Sequence, residues 1–199
     1  MISDIVVRPK AQNDLGRRVF ILTMIAAALS FAVSLWISHY SGIVQLVALI
    51  FLCASLYFYT RYVASVYSYE ITTDSDGAVL FVVRQTGGNR STTHCRMTLS
   101  SLVRAEMLGE AEMKLYRKNR QRTREANTPD SETPEYLRPD RSIGYYDYCA
   151  TFRPRVATLL CFRSHTERAD LLVEVSEELR TMLLDEAARL RELLEQDSI

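Results

Sequence analysis

The stretch that decides the fold covers residues 19–60 and reads VFILTMIAAALSFAVSLWISHYSGIVQLVALIFLCASLYFYT. It contains no Asp, Glu, Lys or Arg, and it is flanked by two arginines at 17–18 and by Arg61. A helix that rises about 1.5 Å per residue needs about 20 apolar residues to cross the roughly 30 Å hydrocarbon core of a bilayer. The sequence therefore predicts a transmembrane hairpin of two helices, over residues 19–37 and 43–60.

The link between the two predicted helices is short, contains Gly42 and carries no Lys or Arg. Two helices joined by so few residues pack side by side in opposite directions. The hairpin itself contains no basic residue, and it is flanked by the basic tail of residues 1–18 and by Arg61. Basic flanks of this kind stay on the cytoplasmic side of a membrane. We therefore expect an integral protein of the cell membrane, with a cytoplasmic basic tail over 1–18 and both termini in the cytoplasm.

Other interpretations of the hairpin fit the sequence less well. Arg17, Arg18 and the apolar residues after them loosely resemble a twin-arginine export signal, but the run is longer than such signals and no small-residue cleavage site ends it. A buried hairpin in a soluble domain conflicts with helices that are apolar on all sides. Small residues recur at every fourth position at Ala26, Ser30 and Ser34, and they allow close packing with the second helix or with another copy. The oligomeric state stays open.

Residues 61–199 follow a different pattern, in which apolar and polar residues alternate as they do in strands. Ser176 is a good N-cap, and the acidic residues after it begin an amphipathic C-terminal helix. Residues 110–141 form a charged insert that is first helix-compatible with a weak apolar face and then rich in proline, as in a surface loop. The pattern predicts an α+β domain in which the terminal helix closes a sheet or barrel. About seven antiparallel strands are expected, over residues 66–72, 78–86, 91–99, 102–108, 145–152, 156–164 and 169–175.

This order of elements resembles small bacterial membrane proteins in which a two-helix hairpin precedes a pleckstrin-homology-like (PH-like) domain. The stretches that look alike are VYSYEI after the second helix, THCRMTLSSLVRAEML in the next strands, and YYDYCATF with ATLLCF before the terminal helix. The resemblance implies a PH-like antiparallel sandwich or barrel on a membrane anchor. It implies a fold and a location but no reaction.

The strongest local signal for a binding site is a basic cluster in the charged insert. A domain tethered near an anionic leaflet gains roughly 1 kcal/mol for each basic residue close to the surface, so anionic lipid headgroups are candidate ligands. The alternative is a solvated basic helix, balanced by the acidic residues of 130–135. Nucleic acid is not expected, because no series of aromatic residues is interleaved with the basic ones. The cluster comprises Lys114, Arg117, Lys118, Arg120, Arg122 and Arg124.

Residues suited to catalysis or metal binding are sparse. His94 and Cys95 are neighbours in a predicted strand, so their side chains point to opposite faces, and Cys161 with His165 is the other local pair. The four cysteines include no C-x-x-C spacing, which fits a reducing compartment. No G-x-S-x-G and no phosphate-binding glycine loop occur. We therefore expect no enzyme activity, no metal and no cofactor.

These observations together favour a non-catalytic protein that holds a protein or anionic-lipid partner at the inner membrane face. Two other functions fit the same sequence. One is a membrane-bound hydrolase or transferase without a recognisable motif. The other is a structural subunit of a larger membrane complex.

Overall fold

The computed structural model describes residues 5–7, 14–36, 41–125, 143–164 and 168–197, without the side chains of residues 14, 121–125 and 197. A short strand comes first, followed by two long helices, then by strands that are interrupted by one helix, and by a last helix. A π-helical turn, Tyr59–Val63, follows the second helix directly, and a short 3-10 turn, Leu99–Ser101, joins two strands. The elements are β1 (Ile5–Val7), α1 (Asp14–Ser34), α2 (Ser41–Phe58), β2 (Ser65–Thr73), β3 (Val79–Gly87), β4 (Arg90–Thr98), β5 (Leu102–Gly109), α3 (Glu110–Glu125), β6 (Gly144–Asp147), β7 (Val156–Arg163), β8 (Arg168–Val173) and α4 (Glu177–Asp197).

The first two helices lie antiparallel against each other. Phe20 near the start of α1 contacts Tyr59 just beyond the end of α2, with ring centroids 5.4 Å apart. Ala27 and Ala48 are buried between the helices, whereas most large apolar side chains of both helices are exposed. Small residues thus let the two backbones approach, and the apolar surface points outward.

Two segments, Leu15–Ser34 and Ser41–Val63, are each long and apolar enough to cross a membrane by length and composition. The prediction of two such helices is confirmed. The first helix begins at Asp14 rather than at residue 19, so the paired arginines lie inside its first turns. The predicted link falls largely on residues 37–40, which lie outside the described part of the chain.

The described strands form two sheets of four strands each, in the orders β1-β2-β3-β4 and β5-β7-β8-β6. The predicted α+β class is confirmed, and six of the seven expected strands lie within one or two residues of their predicted bounds. One strand was missed in the N-terminal tail: Ile5 pairs with Ile71 and Val7 with Tyr69, so β1 extends the first sheet at its edge.

The expectation of an entirely antiparallel domain is wrong, because β6 runs parallel to β8. Strand β6 is also shorter than the predicted 145–152. The Tyr148 N–H still donates to the Leu172 carbonyl of β8, but the following N–H groups bond to side chains. Cys149 N–H donates to Asp147 Oδ1, and the next two N–H groups donate to Glu174 Oε2. Residues 148–155 then cross from the far side of β8 to β7, which makes the parallel pairing possible.

The main core fills the space between the two sheets and is closed by α4. Its largest buried side chains include Phe81 from the first sheet and Phe162 from the second, and Leu183 of α4 packs against the same cluster. The buried Tyr69 hydroxyl joins the sheets, because it donates to the Tyr148 carbonyl at 3.0 Å and accepts from Glu174 N–H at 3.0 Å. The sheets are therefore held together by both apolar packing and a satisfied polar group.

A second, smaller core lies on the outer face of the second sheet, beneath α3. Met113 and Tyr116 of α3 are buried there against apolar residues of β7 and β8. The sequence indicated only a weak apolar face for this helix, and the structure shows that two well-placed residues are enough to seat it. Residues 126–142, the rest of the predicted insert, lie outside the described part of the chain.

Asp170 is the charged residue that this second core encloses, with 2% of its surface exposed. The Tyr116 hydroxyl donates to Asp170 Oδ2 at 2.6 Å, and the Arg163 guanidinium reaches Oδ1 at 2.6 Å. Burial, together with the neighbouring Asp170 carboxylate, holds the pKa of Tyr116 well above its usual range, so the phenol stays a donor. Both carboxylate oxygens are thus satisfied, as a buried charge requires.

We predict that Tyr116→Phe lowers the free energy of unfolding by about 1–3 kcal/mol, because the buried Asp170 carboxyl group loses a hydrogen-bond donor. Thermal and denaturant unfolding of the full chain in detergent, followed by circular dichroism, measures the loss. Tyr146→Phe is the matched control, since that side chain is 49% exposed. Equal losses in the two variants would contradict the role assigned to the Tyr116 hydroxyl.

Candidate functional site at the junction of hairpin and domain

The helical hairpin continues into the sheet domain without a flexible linker. The π-helical turn extends α2 to Val63, the Ala64 N–H donates to the Tyr59 carbonyl at 2.8 Å, and β2 begins at the next residue. The Ser65 hydroxyl donates back to the Thr60 carbonyl. The last turn of the helix and the first residue of the strand are therefore tied to each other.

An aromatic cluster packs the end of the hairpin against the domain. Phe152, in the connection between β6 and β7, meets Phe58 and Tyr62 edge-on, with ring centroids 5.1 and 5.2 Å apart. Gly16 in the first turn of α1 completes the contact: a Cβ on it would lie 3.0 Å from Tyr62 Cβ. We call Gly16, Phe58, Tyr62 and Phe152 the aromatic joint. It brings both ends of the hairpin and one domain loop to the same level.

Arg61 adds a polar link between the hairpin and the domain. Its guanidinium donates to the Asp147 carbonyl at 2.7 Å and lies 4.8 Å from the centroid of the Tyr67 ring. A guanidinium over an aromatic face is attracted by the ring quadrupole. Arg61 was expected to flank the membrane, and the structure shows that it also fastens the end of the hairpin to both sheets.

Of the described residues in the basic cluster predicted on α3, some contact the rest of the domain and others are exposed. Arg117 forms a 2.6 Å ion pair with Asp147, and Arg120 donates to the Ile143 carbonyl at 2.9 Å and lies 5.0 Å from the Tyr145 ring centroid. These two residues attach α3 to β6. Lys114 pairs with Glu110 at 2.7 Å, and Lys118 is exposed. The side chains of Arg122 and Arg124 lie outside the described part of the chain, as do residues 130–135.

A different basic surface surrounds the aromatic joint. Arg17 and Arg18 follow Gly16 on α1, and Arg153 follows Phe152 with its guanidinium 5.7 Å from that ring. All three are exposed, as is Arg155. These arginines come from two segments that are more than a hundred positions apart in the chain, yet they reach the same end of the hairpin.

A further segment brings Arg90 to this end of the domain. Arg90 pairs with Gly87 across the β3–β4 turn, and Gly87 pairs with Ser65, the first residue of β2. Arg90 is therefore about two strand spacings, roughly 10 Å, from the point where the chain leaves the hairpin. Its side chain is exposed. We call Arg17, Arg18, Arg90, Arg153 and Arg155 the arginine collar.

The sequence did not predict the collar, because its residues do not form a local cluster in the chain. The six basic residues of the insert stand close together in the chain, whereas the collar comes from three separate stretches. The flanking arginines at 17–18 were recognised as a topology signal. The pairing of β2 with β3 could have indicated Arg90 as well, because it places the glycine turn before Arg90 next to the hairpin.

The remaining candidates for chemistry are separated or buried. His94 Nε2 contacts Gln85 Oε1 on the surface of the first sheet, and Cys95 packs toward the core. Burial raises the pKa of the Cys161 thiol to about 11, and it raises that of Cys149 beyond the usual range. Within the described residues no group of three or more His, Cys, Asp or Glu side chains could hold a metal ion. His165 lies outside the described part of the chain.

We predict that Gly16→Val loosens the aromatic joint, because the new side chain must displace Tyr62. The thermal midpoint of the full chain in detergent should fall by several degrees, and protease should cut near residue 64 faster. Gly42→Val is the matched control, since nothing lies within 4 Å of a Cβ at that helical glycine. If the two variants behave alike, the close approach at Gly16 does not support the joint.

Comparisons with protein-family models, with curated proteins and with solved structures each found no match for this chain. The resemblance to PH-like membrane proteins therefore stays a prediction. The junction combines an apolar hairpin, an aromatic joint without a flexible linker, and exposed arginines from three segments of the chain.

Proposed function

We propose that this chain is a non-catalytic membrane protein whose PH-like domain holds a protein partner at the inner face of the cell membrane. The observation that carries the proposal is the aromatic joint with Arg61, which fixes the sheet domain to two apolar helices. A domain that is fixed in this way presents the same surface to a partner at all times, and less orientational freedom is lost on binding.

The two facing sheets support a PH-like fold. They enclose one core between them, and α4 closes that core after the last strand, as the resemblance implies. The parallel strand β6 and the covering helix α3 are additions on the outer face of the second sheet. These additions leave the arrangement of the other strands and of the terminal helix intact.

The charge distribution supports membrane insertion with the domain in the cytoplasm. Large apolar side chains are exposed along α1 and α2, and exposed apolar area of this size is costly in water. Arg17, Arg18 and Arg61 lie at the end of the hairpin that carries the domain. Basic flanks of this kind remain on the inner side of a membrane, so both termini would lie in the cytoplasm.

The free edge of β4 is the surface that suits a protein partner. Among the described residues β4 pairs only with β3, and its first five residues, 90–94, are exposed. An open edge strand offers unpaired N–H and carbonyl groups to an extended segment of another protein. The edge begins at the membrane-proximal turn, so a partner at the same membrane would reach it.

The proposed orientation predicts a specific labelling pattern in cells. With Cys53 and Cys95 replaced by Ser, a membrane-impermeant maleimide should modify Thr181→Cys on α4 only after the inner membrane is permeabilised. Leu35→Cys, at the opposite end of the hairpin, should react in intact cells once the reagent can cross any outer barrier. Both positions are exposed. The reverse pattern would contradict the orientation, and equal labelling would contradict membrane insertion.

The partner surface can be tested by site-specific photocrosslinking in cells. A photoreactive amino acid at Ser91 or Thr93 should give one discrete adduct, which is retained at fixed stoichiometry after detergent extraction. The same amino acid at Thr181, exposed on α4, serves as the control and should give no such adduct. Adducts of equal yield at all three positions, or none at any, would overturn the role of the β4 edge.

A further inference from the structure

We infer that the arginine collar binds the headgroups of anionic phospholipids in the leaflet next to the domain. This inference rests on the proposed insertion of the hairpin and names a second ligand. Its surface meets the β4 partner edge only at Arg90, the first residue of that strand, and differs from the basic helix α3. It assigns the lipid contact to arginines that only the folded chain brings together.

The position of the collar matches the edge of the apolar hairpin. The two segments that are apolar enough to cross a membrane begin at Leu15 and end at Val63, and the aromatic joint is level with these two residues. Arg17 and Arg153 directly follow joint residues in the chain, and Arg90 is roughly 10 Å from the point where the chain leaves the hairpin. We therefore expect the collar to lie where hydrocarbon gives way to headgroups. Arginine side chains extend along apolar surface and place the guanidinium at this boundary.

The collar arginines form no ion pair with the carboxylates that the structure describes. Arg17, Arg18, Arg90, Arg153 and Arg155 are all exposed. Two carboxylates in this region have other partners, although the charges of Arg153 and Arg155 also act on Glu110. Asp147 is paired with Arg117, and Glu110 is hydrogen-bonded to Lys114. The collar is therefore left with a net positive charge.

The chemistry of the guanidinium favours phosphate as the group that is bound. A guanidinium is planar, stays charged at all relevant pH values and donates two parallel hydrogen bonds to a phosphate. Anionic leaflets attract basic residues near the surface, and each one gains about fivefold in affinity.

The test compares lipids that remain bound to the full chain. Protein in detergent is equilibrated with equal amounts of phosphatidylglycerol and phosphatidylcholine, and retained lipids are counted by native mass spectrometry. The variant is the triple substitution Arg90→Gln, Arg153→Gln and Arg155→Gln, which leaves the topology signal at 17–18 intact. The matched control is Lys114→Gln with Lys118→Gln on α3.

We expect the wild-type chain to retain phosphatidylglycerol preferentially, and the triple variant to lose at least about tenfold of that preference. The α3 control should keep it, and Arg→Lys replacements in the collar should keep most of it. The wild-type preference should also weaken in 0.5 M NaCl, because salt screens the attraction between exposed charges. This salt titration needs no substitution, so it tests the contact even if the triple variant fails to fold.

Three results would overturn the inference. The triple variant could retain the wild-type preference, the α3 control could lose it equally, or millimolar glycerol phosphate could displace the lipid, which would make a soluble phosphate the ligand. Circular dichroism shows whether each variant is folded. Failure of the membrane proposal itself is distinguishable, because it appears in the labelling pattern of Thr181→Cys and not in the ratio of retained lipids.

Discussion

The close approach at Gly16 is the contact on which the organisation of the whole chain depends. With no side chain at that position, the first turn of α1 lies against Tyr62, and Phe152 fills the remaining space. The hairpin therefore ends on the domain itself and not on a linker. Because α2 runs through a π-helical turn into β2, the direction of the first sheet is coupled to the direction of the helices.

The second sheet explains why the most conspicuous basic segment is not simply a solvated patch. Strand β7 is buried on both faces, so its outer face needs a cover, and α3 supplies it with Met113 and Tyr116. Arg117 and Arg120 of this helix then have a carboxylate and a carbonyl within reach. Arg117 and Arg120 hold the helix onto β6, and Arg163 neutralises the buried Asp170. These three arginines therefore stabilise the packing of the domain.

Exposed positive charge remains at the arginine collar, outside the ion pairs that α3 forms. Among the described residues, Asp147 pairs with Arg117 and Glu110 pairs with Lys114, whereas no collar arginine forms an ion pair with a described carboxylate. The β4 edge and the collar then lie toward the same end of the domain. A partner held on the edge strand and a lipid headgroup held by the collar would both act on a domain that is already fixed in orientation.

The apolar run of residues 19–60, the alternation of the later strands and the stripe of the last helix were enough to predict two apolar helices, six strands and α4. These features are local, because the periodicity of apolar residues is visible in consecutive residues and does not depend on which other segments pack against them. The short strand β1 carried too few residues for such a pattern. The early end of β6 escaped prediction as well, because it depends on Glu174, which lies far along the chain and accepts the turning backbone's N–H groups.

The sequence by itself determined which segments are apolar helices and where six of the described strands lie. Only the tertiary structure decided which basic residues are available for binding. Arg117 and Arg120 stand in the densest basic stretch, yet packing of α3 on the second sheet engages them internally. Arg90 and Arg153 stand apart in the chain, and strand pairing and the Phe152 contact bring them to the end of the hairpin. The physical reason is that charge availability depends on which partners folding brings within a few ångströms.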